Sequence, residues 1–558
     1  MVRPFRSLAF SKVRSAGGGA GGRREGPPKL RLLAFVAVAC AVIPLTACGG
    51  DPPQIVDYSP QRGSIDVSTA VPIRISFDHD VDKASVEDRF RISPATYGSV
   101  HWLNGRELVY EHSTLLPSTS YEVILDAGYR DPSGNVYVLR HHWSFITERP
   151  PSLAGSTPAE ADSGVDPSTY LTLDFTREMN PVSLRSAVSI TPSVPFSVHL
   201  DPADSRRAII SPSELLAPNT AYQLSLSVSA LDLDGNQLDR DQTIDFSTGA
   251  ARPLHHWITF ITTSADGTST GLWIINESGI PRQLFNSQPV HSFSWSPDRT
   301  SLLVEVDGEA WWNVTPGAGS VLLGFTAPWA AALASGMGYV YIDDSGALHR
   351  QATDGTDDVI AGDVTQAAVA PSGLRVAYLL GASGPSEIWG YDVGLRARYQ
   401  LSADSAPVSA VTWAPSGDRI AYLRSDLGTT SLRVKTLLGS GATTTIATGD
   451  IGAPAWFPDS THIVFAATSP NPSSTVHKAY VVNVAAPPAL LSAALGLPAD
   501  PTVDLTSPVP SPDGHQIAFL NGDQVWLMNA DGTRPTALTK SDPDSFPYSC
   551  RTLAWTSS

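Results

Sequence analysis

Three hydrophobic patterns succeed one another along the chain. The first is an unbroken apolar run, LLAFVAVACAVIPL, from Leu32 to Leu45, shorter than the roughly 20 residues a membrane-spanning helix needs. The second begins near residue 54, where apolar and polar residues alternate over short stretches such as Ile73, Ile75 and Phe77. Alternation of this kind puts every other side chain on one face of a strand, and the Pro, Gly, Asn and Asp between stretches mark turns. The third pattern, beyond Arg252, keeps the alternation but recurs at a different spacing. The 44 Gly and 45 Pro suit a chain of many turns rather than long helices.

The second pattern is a duplication. Tyr121 and Tyr222, Gly134 and Gly235, and Phe145 and Phe246 are each 101 residues apart, while Phe77 and Phe175 are 98 apart. Each copy holds about 100 residues of short alternating strands, the pattern of a two-sheet antiparallel sandwich. The shared elements are F-x-x-x-(M/V)-(D/N), L-x-P-x-T-x-Y, D-x-x-G-N and a closing F-x-T. In these residues the two copies resemble the bacterial Ig-like domains of surface-layer proteins (SbsA-type), which implies spacer or adhesive modules without chemistry of their own.

The third pattern repeats as WSPDRTSLLVEV, VAPSGLRVAYLL, WAPSGDRIAYLR, WFPDSTHIVFAA and PSPDGHQIAFLN, with prolines at 297, 371, 415, 458 and 512. The first proline step spans two units, because WAAALASGMGYVYIDDSG from Trp329 is a copy without the proline. A unit near 43 residues with four short strands predicts a β-propeller. Seven blades are expected, six or eight being the alternatives. Residues 255–286 supply three strands without a first one, and RTLAWTSS at the C-terminus supplies the missing inner strand. The units resemble WD-repeat-like propeller repeats of TolB-like periplasmic proteins, a resemblance that implies the fold and a binding or scaffolding role but not the ligand.

The fold class is therefore all-β: two Ig-like sandwiches, then a propeller. The expected boundaries are 54–148 and 149–250 for the sandwiches and 253–558 for the propeller. Ahead of them, residues 1–31 carry eight basic residues and one acid, so residues 1–47 read as a secretion signal. The signal ends in LTACGG, which matches the bacterial lipobox and implies a diacylglycerol on Cys48 at the head of a linker, 48–53. Lipid would then hold the protein to a bacterial membrane on its outer side, at the cell surface or in the periplasm. Removing residues 1–47 shifts the formal net charge from −17 to −24. So acidic a chain repels phosphate backbones, which argues against a nucleic-acid partner. Of the three cysteines only Cys550 would stay free, so no intramolecular disulfide is expected.

Candidate chemistry is sparse. Ser511, Asp513 and His515 could pass for catalytic machinery, but the repeat explains the proline, acid and glycine of this stretch as turn residues. Asp78, His79, Asp80 and Asp82, like Asp232, Asp234 and Asn236, offer oxygens at calcium-loop spacing. Turn capping accounts for both sets, because the first copy lacks the middle acid of the DLDGN loop. His141–His142 and His255–His256, read as strand neighbours, would point to opposite faces and share no ion. SADGTSTGLW from Ser264 reads as a hairpin, and Cys550 as a buried small hydrophobe. No nucleophile elbow, zinc helix or phosphate loop is present. The expectation is a non-enzymatic binding or scaffold protein without cofactor or metal, whose propeller engages a protein or cell-wall polymer. The alternatives are a propeller hydrolase of envelope glycans, with two carboxylates facing the pocket, and an envelope sensor.

Overall fold

The computed structural model describes residues 50–557 apart from 265, 286–287, 382–386, 404–405, 438–440, 469–475, 489–494, 541–545 and 547. Cys48 and the expected signal lie outside the described residues. The first sandwich packs the sheet Ile55–Ser59, Ile73–Phe77, Glu107–His112 and Gly98–Trp102 against Phe90–Ser93, Ser120–Leu125 and His141–Ile146. The second packs two four-stranded sheets, centred on Leu171–Phe175 with Asp204–Pro212 and on Ala221–Leu226 with Gln242–Thr248.

The duplicated residues build the same corner twice. Phe145 stacks on Tyr121 at 5.9 Å and Phe246 on Tyr222 at 5.6 Å, in the centres of the two cores. Each tyrosine hydroxyl accepts a backbone N–H, from Leu116 (3.0 Å) or Ala217 (2.9 Å). The threonine of F-x-T donates to the carbonyl of that same residue, Thr147 to Leu116 and Thr248 to Ala217. The spaced sequence elements are thus one hydrogen-bonded unit that satisfies buried backbone groups. The F-x-x-x-(M/V)-(D/N) element ends in a helix cap: Asp82 accepts from Ser85 N–H ahead of Lys83–Glu87, and Asn180 caps Pro181–Ala187.

Seven antiparallel sheets follow among the described residues, six of four strands and one of three. We number them as blades in chain order. Blade 1 consists of Ile258–Thr263, Ser269–Ile275 and Arg282–Phe285, with Ser549–Trp555 as its inner strand. The two ends of the propeller chain therefore meet in one sheet, which removes an open edge. The remaining inner strands are Val290–Trp295, Trp329–Ala332, Val364–Val369, Val408–Trp413, Ala455–Trp456 and Leu505–Pro510, for blades 2 to 7.

In three blades the recurring tryptophan ties its blade to the neighbouring one. Trp413 donates from Nε1 to the Ala368 carbonyl of blade 4 (2.9 Å), Trp555 to Val509 of blade 7 (3.0 Å), and Trp295 to Thr259 Oγ1 of blade 1 (3.1 Å). Next to it, the Pro-Asp-Gly segment forms a tight turn. Gly373, Gly417 and Gly514 take φ between 69° and 76°, and Arg299 and Ser460 occupy the same left-handed position in blades 2 and 6. A side chain there is strained, yet both residues reach a neighbouring blade. Arg299 Nη1 donates to the Trp555 carbonyl, and Ser460 Oγ accepts from Ser416 N–H.

Candidate binding site at the channel mouth

Every inner strand begins at the end of the ring where the second strand of its blade finishes, as Val290 opposite Val306 and Leu505 opposite Asn521 show. The turns joining second to third strands therefore gather at one end of the channel. At the other end lie the Pro-Asp-Gly turns, of which those at Gly373 and Gly514 pack closely on a neighbouring blade. A Cβ on Gly373 of blade 4 would stand 2.3 Å from Ala334 N of blade 3 and 2.9 Å from Pro297 Cγ of blade 2. The end where the inner strands start is the candidate mouth of the channel.

That mouth is shaped by irregularities in five inner strands. The pairing register breaks at His291, Thr365, Ala410–Val411, Ser507–Pro508 and Thr552. Three of these bulges hold a residue in the left-handed region, Ala410 (φ 52°), Ser507 (φ 50°) and Thr552 (φ 52°). Bulges re-aim side chains at the rims of closed sheets. Here they leave His291, Thr365, Ser409, Ser507, Arg551 and Thr552 exposed on otherwise buried or half-buried strands. None of the seven inner strands contains Asp or Glu. The half-buried wall carries hydroxyls and one amide: Ser292, Ser294, Gln366, Thr412 and Thr506.

Carboxylates stand on the rim instead. Asp307 pairs with His291 (2.6 Å), and Asp504 with His477 (3.0 Å), whose backbone N–H holds its carboxyl below the ordinary range. Asp523 is likewise held low, chiefly by the Ser549 hydroxyl at 2.8 Å. Groups held ionised in this way are poor proton donors near neutrality. Glu309, on the turn of blade 2, behaves differently, because burial and the neighbouring Asp344 push its carboxyl upward.

The residues singled out from sequence lie elsewhere. Ser511 is fully buried; its hydroxyl donates to Asp513 (2.5 Å) and accepts from Gln516 N–H (2.9 Å). His515 gives Asp513 only its backbone N–H, so the three residues tie a turn at the crowded end. Asp78 caps Gln54 and His79, Asp80 pairs with Arg106, and Asp82 caps its helix and pairs with Arg130. Asp232 accepts two bonds from Asn236 inside its own loop. Among the described residues no three His, Cys, Asp or Glu side chains gather as metal ligands would. Ser264, Asp266 and Thr268 close the hairpin between the second and third strands of blade 1. His141 and His142 sit in a strand, but His255 and His256 do not. His256 has φ 56°, and the pair forms a bend before Ile258 in which His255 bonds Ser557 and His256 lies near Asp513. Burial pushes the Cys550 thiol up to about 12.

The mouth itself escaped the sequence reading. Pro508, inside an inner strand, was a usable signal, because proline within a strand marks a bulge or an edge. His291 and Thr365 offer no comparable sign.

Among curated proteins no sequence matches the chain. Of solved structures, TolB from Acinetobacter baumannii is similar over 67% of this chain and 83% of its own, at 15% identity and TM-score 0.37. Putative TolB from Agrobacterium tumefaciens shares 14% identity over 53% of this chain and 98% of its own, at TM-score 0.34. An oligogalacturonate lyase in complex with manganese shares 10% over 52% and 87%, at TM-score 0.39. Residues 50–147 and 147–248 each match the bacterial Ig-like domain family (Big_5). The chain thus sets two bacterial Ig-like domains ahead of a seven-bladed propeller.

Proposed function

We propose that the protein is a lipid-anchored extracytoplasmic binding or scaffold protein, held through Cys48, whose Ig-like stalk presents the propeller mouth to an envelope protein or polymer. The observation that carries this reading is the channel wall. Five of its seven inner strands turn outward at a bulge or register break to expose neutral or basic side chains at the mouth, and none carries a carboxylate. Hydroxyl and amide groups of this kind recognise a ligand by hydrogen bonds without transferring a proton. Asp504 and Asp523 on the rim, held ionised, favour a partner with positive charge at its edge.

A hydrolase reading has one observation in its favour, the raised carboxyl of Glu309 beside Asp344. Both lie on turns between second and third strands, outside the ring of inner strands. The two readings separate by substitution in the full chain. Thr365→Trp and Ser409→Trp, at exposed positions of the mouth, should abolish recovery of envelope partners after chemical crosslinking, while Glu309→Gln leaves recovery unchanged. Loss of recovery with Glu309→Gln alone would favour chemistry at the rim.

A further inference from the structure

The duplicated Ig-like domains share one loop whose chemistry differs between copies in a way the fold does not require. After the D-x-x-G-N turn the first domain reads Val136-Tyr137-Val138-Leu139-Arg140 and the second Gln237-Leu238-Asp239-Arg240-Asp241, the same register 101 residues on. The central residue is an anchor in both. Tyr137 packs on the first core, stacked between Tyr129 (5.0 Å) and His141 (4.8 Å), and Leu238 is buried in the second. The flanking side chains face water. In the second domain they are polar, as expected at a surface. In the first they are Val136, Val138 and Leu139, exposed at 46%, 75% and 64%.

Position distinguishes the two loops. In the second domain, Asn236 at the root of the loop bonds Glu148 and Thr69 of the first domain, so this end of the module meets whatever precedes it. In the first domain the matching end meets the N-terminal linker. A Cβ on Gly50 would stand 3.2 Å from Asn135 Nδ2, and Gln54 N–H donates to Asp78. Cys48 is two residues before Gly50, so at most about 7 Å of chain separates it from Gly50. The strand His141–Ile146 then runs from this loop toward the joint with the second domain, so the loop occupies the far end of the module. Arg91 and Arg140 beside it share a single acid, Asp126, at 3.2 and 3.5 Å.

Building on the reading of Cys48 as the lipidated residue, we propose that the loop Val136–Arg140 is a second membrane contact, its valines and leucine entering the interface of the bilayer next to the acyl anchor. Apolar side chains flanked by arginine suit the boundary between headgroups and acyl chains. Three such residues bind weakly alone, but a tether a few residues away makes their insertion effectively intramolecular. Two contacts in place of one would fix the tilt of the stalk instead of letting it swing about its linker.

The test replaces the natural anchor, so that it does not depend on acylation. The chain from residue 48, with Cys48→Ser and an N-terminal hexahistidine tag, is held on phosphatidylcholine–phosphatidylglycerol vesicles by nickel-chelating lipid. Val138→Cys carries an environment-sensitive nitrobenzoxadiazole label, with Asp239→Cys as the matched control; Cys550 is buried and its thiol is pushed up to about 12, so it stays unlabelled. The expected result is a several-fold brighter, blue-shifted signal at 138, quenched by spin-labelled lipid, with no change at 239. Equal signals at both positions would overturn the proposal. As a second measure, the unlabelled chain should need more imidazole for release than the variant carrying Val138→Asp and Leu139→Arg, and equal release would also count against the loop. Acyl chains on Cys48 of the protein from its own envelope are scored separately by mass, so an absent anchor and a non-inserting loop give different results.

Discussion

The two joints on either side of the second Ig-like domain solve the same problem with opposite chemistry. Between the Ig-like domains the contact is a buried polar knot. Glu148, 3% exposed, accepts from Asn236 Nδ2 (2.8 Å), Thr69 N–H (3.3 Å) and Arg177 (2.5 Å), and Arg177 also holds Asp66. Between the second domain and the propeller a single cation is enclosed by aromatic rings. Arg282, fully buried, sits 4.0 Å from the Tyr170 ring and 5.6 Å from Trp257, and donates one bond, to the Thr169 carbonyl. Backbone adds continuity there, because Gln283 N–H donates to Ser213 and Glu214 pairs with Gln283. A polar knot depends on every partner being present, whereas an aromatic cage depends on shape. The first joint should therefore fail at any missing member, and the second should tolerate replacement by a side chain of similar volume.

The largest effect is expected from Arg282→Ala, which empties the cage and orphans Thr169. A loss of about 3 kcal/mol is expected in denaturant unfolding, with a wider spread of stalk-to-propeller distances by pulsed spin-label measurement. Glu148→Ala, which leaves Asn236, Thr69 and Arg177 short of an acceptor, should cost about 2 kcal/mol and widen the distribution only between the Ig-like domains. Tyr170→Phe removes the hydroxyl that meets Ser278 (2.9 Å) and Ile280 (3.3 Å), with an expected loss of about 1 kcal/mol by the same assay. Arg282→Met should cost least, under about 1 kcal/mol, because among the described residues the buried guanidinium donates a single hydrogen bond, to the Thr169 carbonyl, in return for its desolvation. A large loss with methionine would show that charge, and not shape, holds this joint.

Acidity acts on the polar joint alone. Burial pushes the Glu148 carboxyl above the ordinary carboxylate range, against the Thr69 N–H bond that pulls it down. The folded joint then binds this proton more tightly than the unfolded chain does. Its stabilising contribution is full below the unfolded pKa and is lost as pH rises through the folded one. Stability of the Ig-like pair should accordingly decline across that window, and Glu148→Gln should flatten the profile.

Much of this architecture was legible because it repeats. Phe145 and Phe246, or the prolines at 297, 371, 415, 458 and 512, announce one local structure several times over, and local structure is what periodicity encodes. Even the ring closure could be read, since Trp555 stands where another repeat would begin. The joints and the mouth are single-copy features. Nothing around Arg282 in sequence indicates that Tyr170, 112 positions earlier, will cover it, and Glu148 reads as the acid after a strand. The register breaks at His291, Thr365 and Thr552 depend on how neighbouring blades pack, which a single strand's alternation does not record.

The direct test of the propeller mouth as the binding surface is photocrosslinking in the intact envelope. A photoreactive side chain at Ser507, exposed on the inner strand of blade 7, is compared with one at Glu122, which pairs with His142 on a strand of the first Ig-like domain. The account predicts a discrete partner adduct from position 507 and none from 122. A partner captured from 122 alone would place recognition on the stalk and contradict the account.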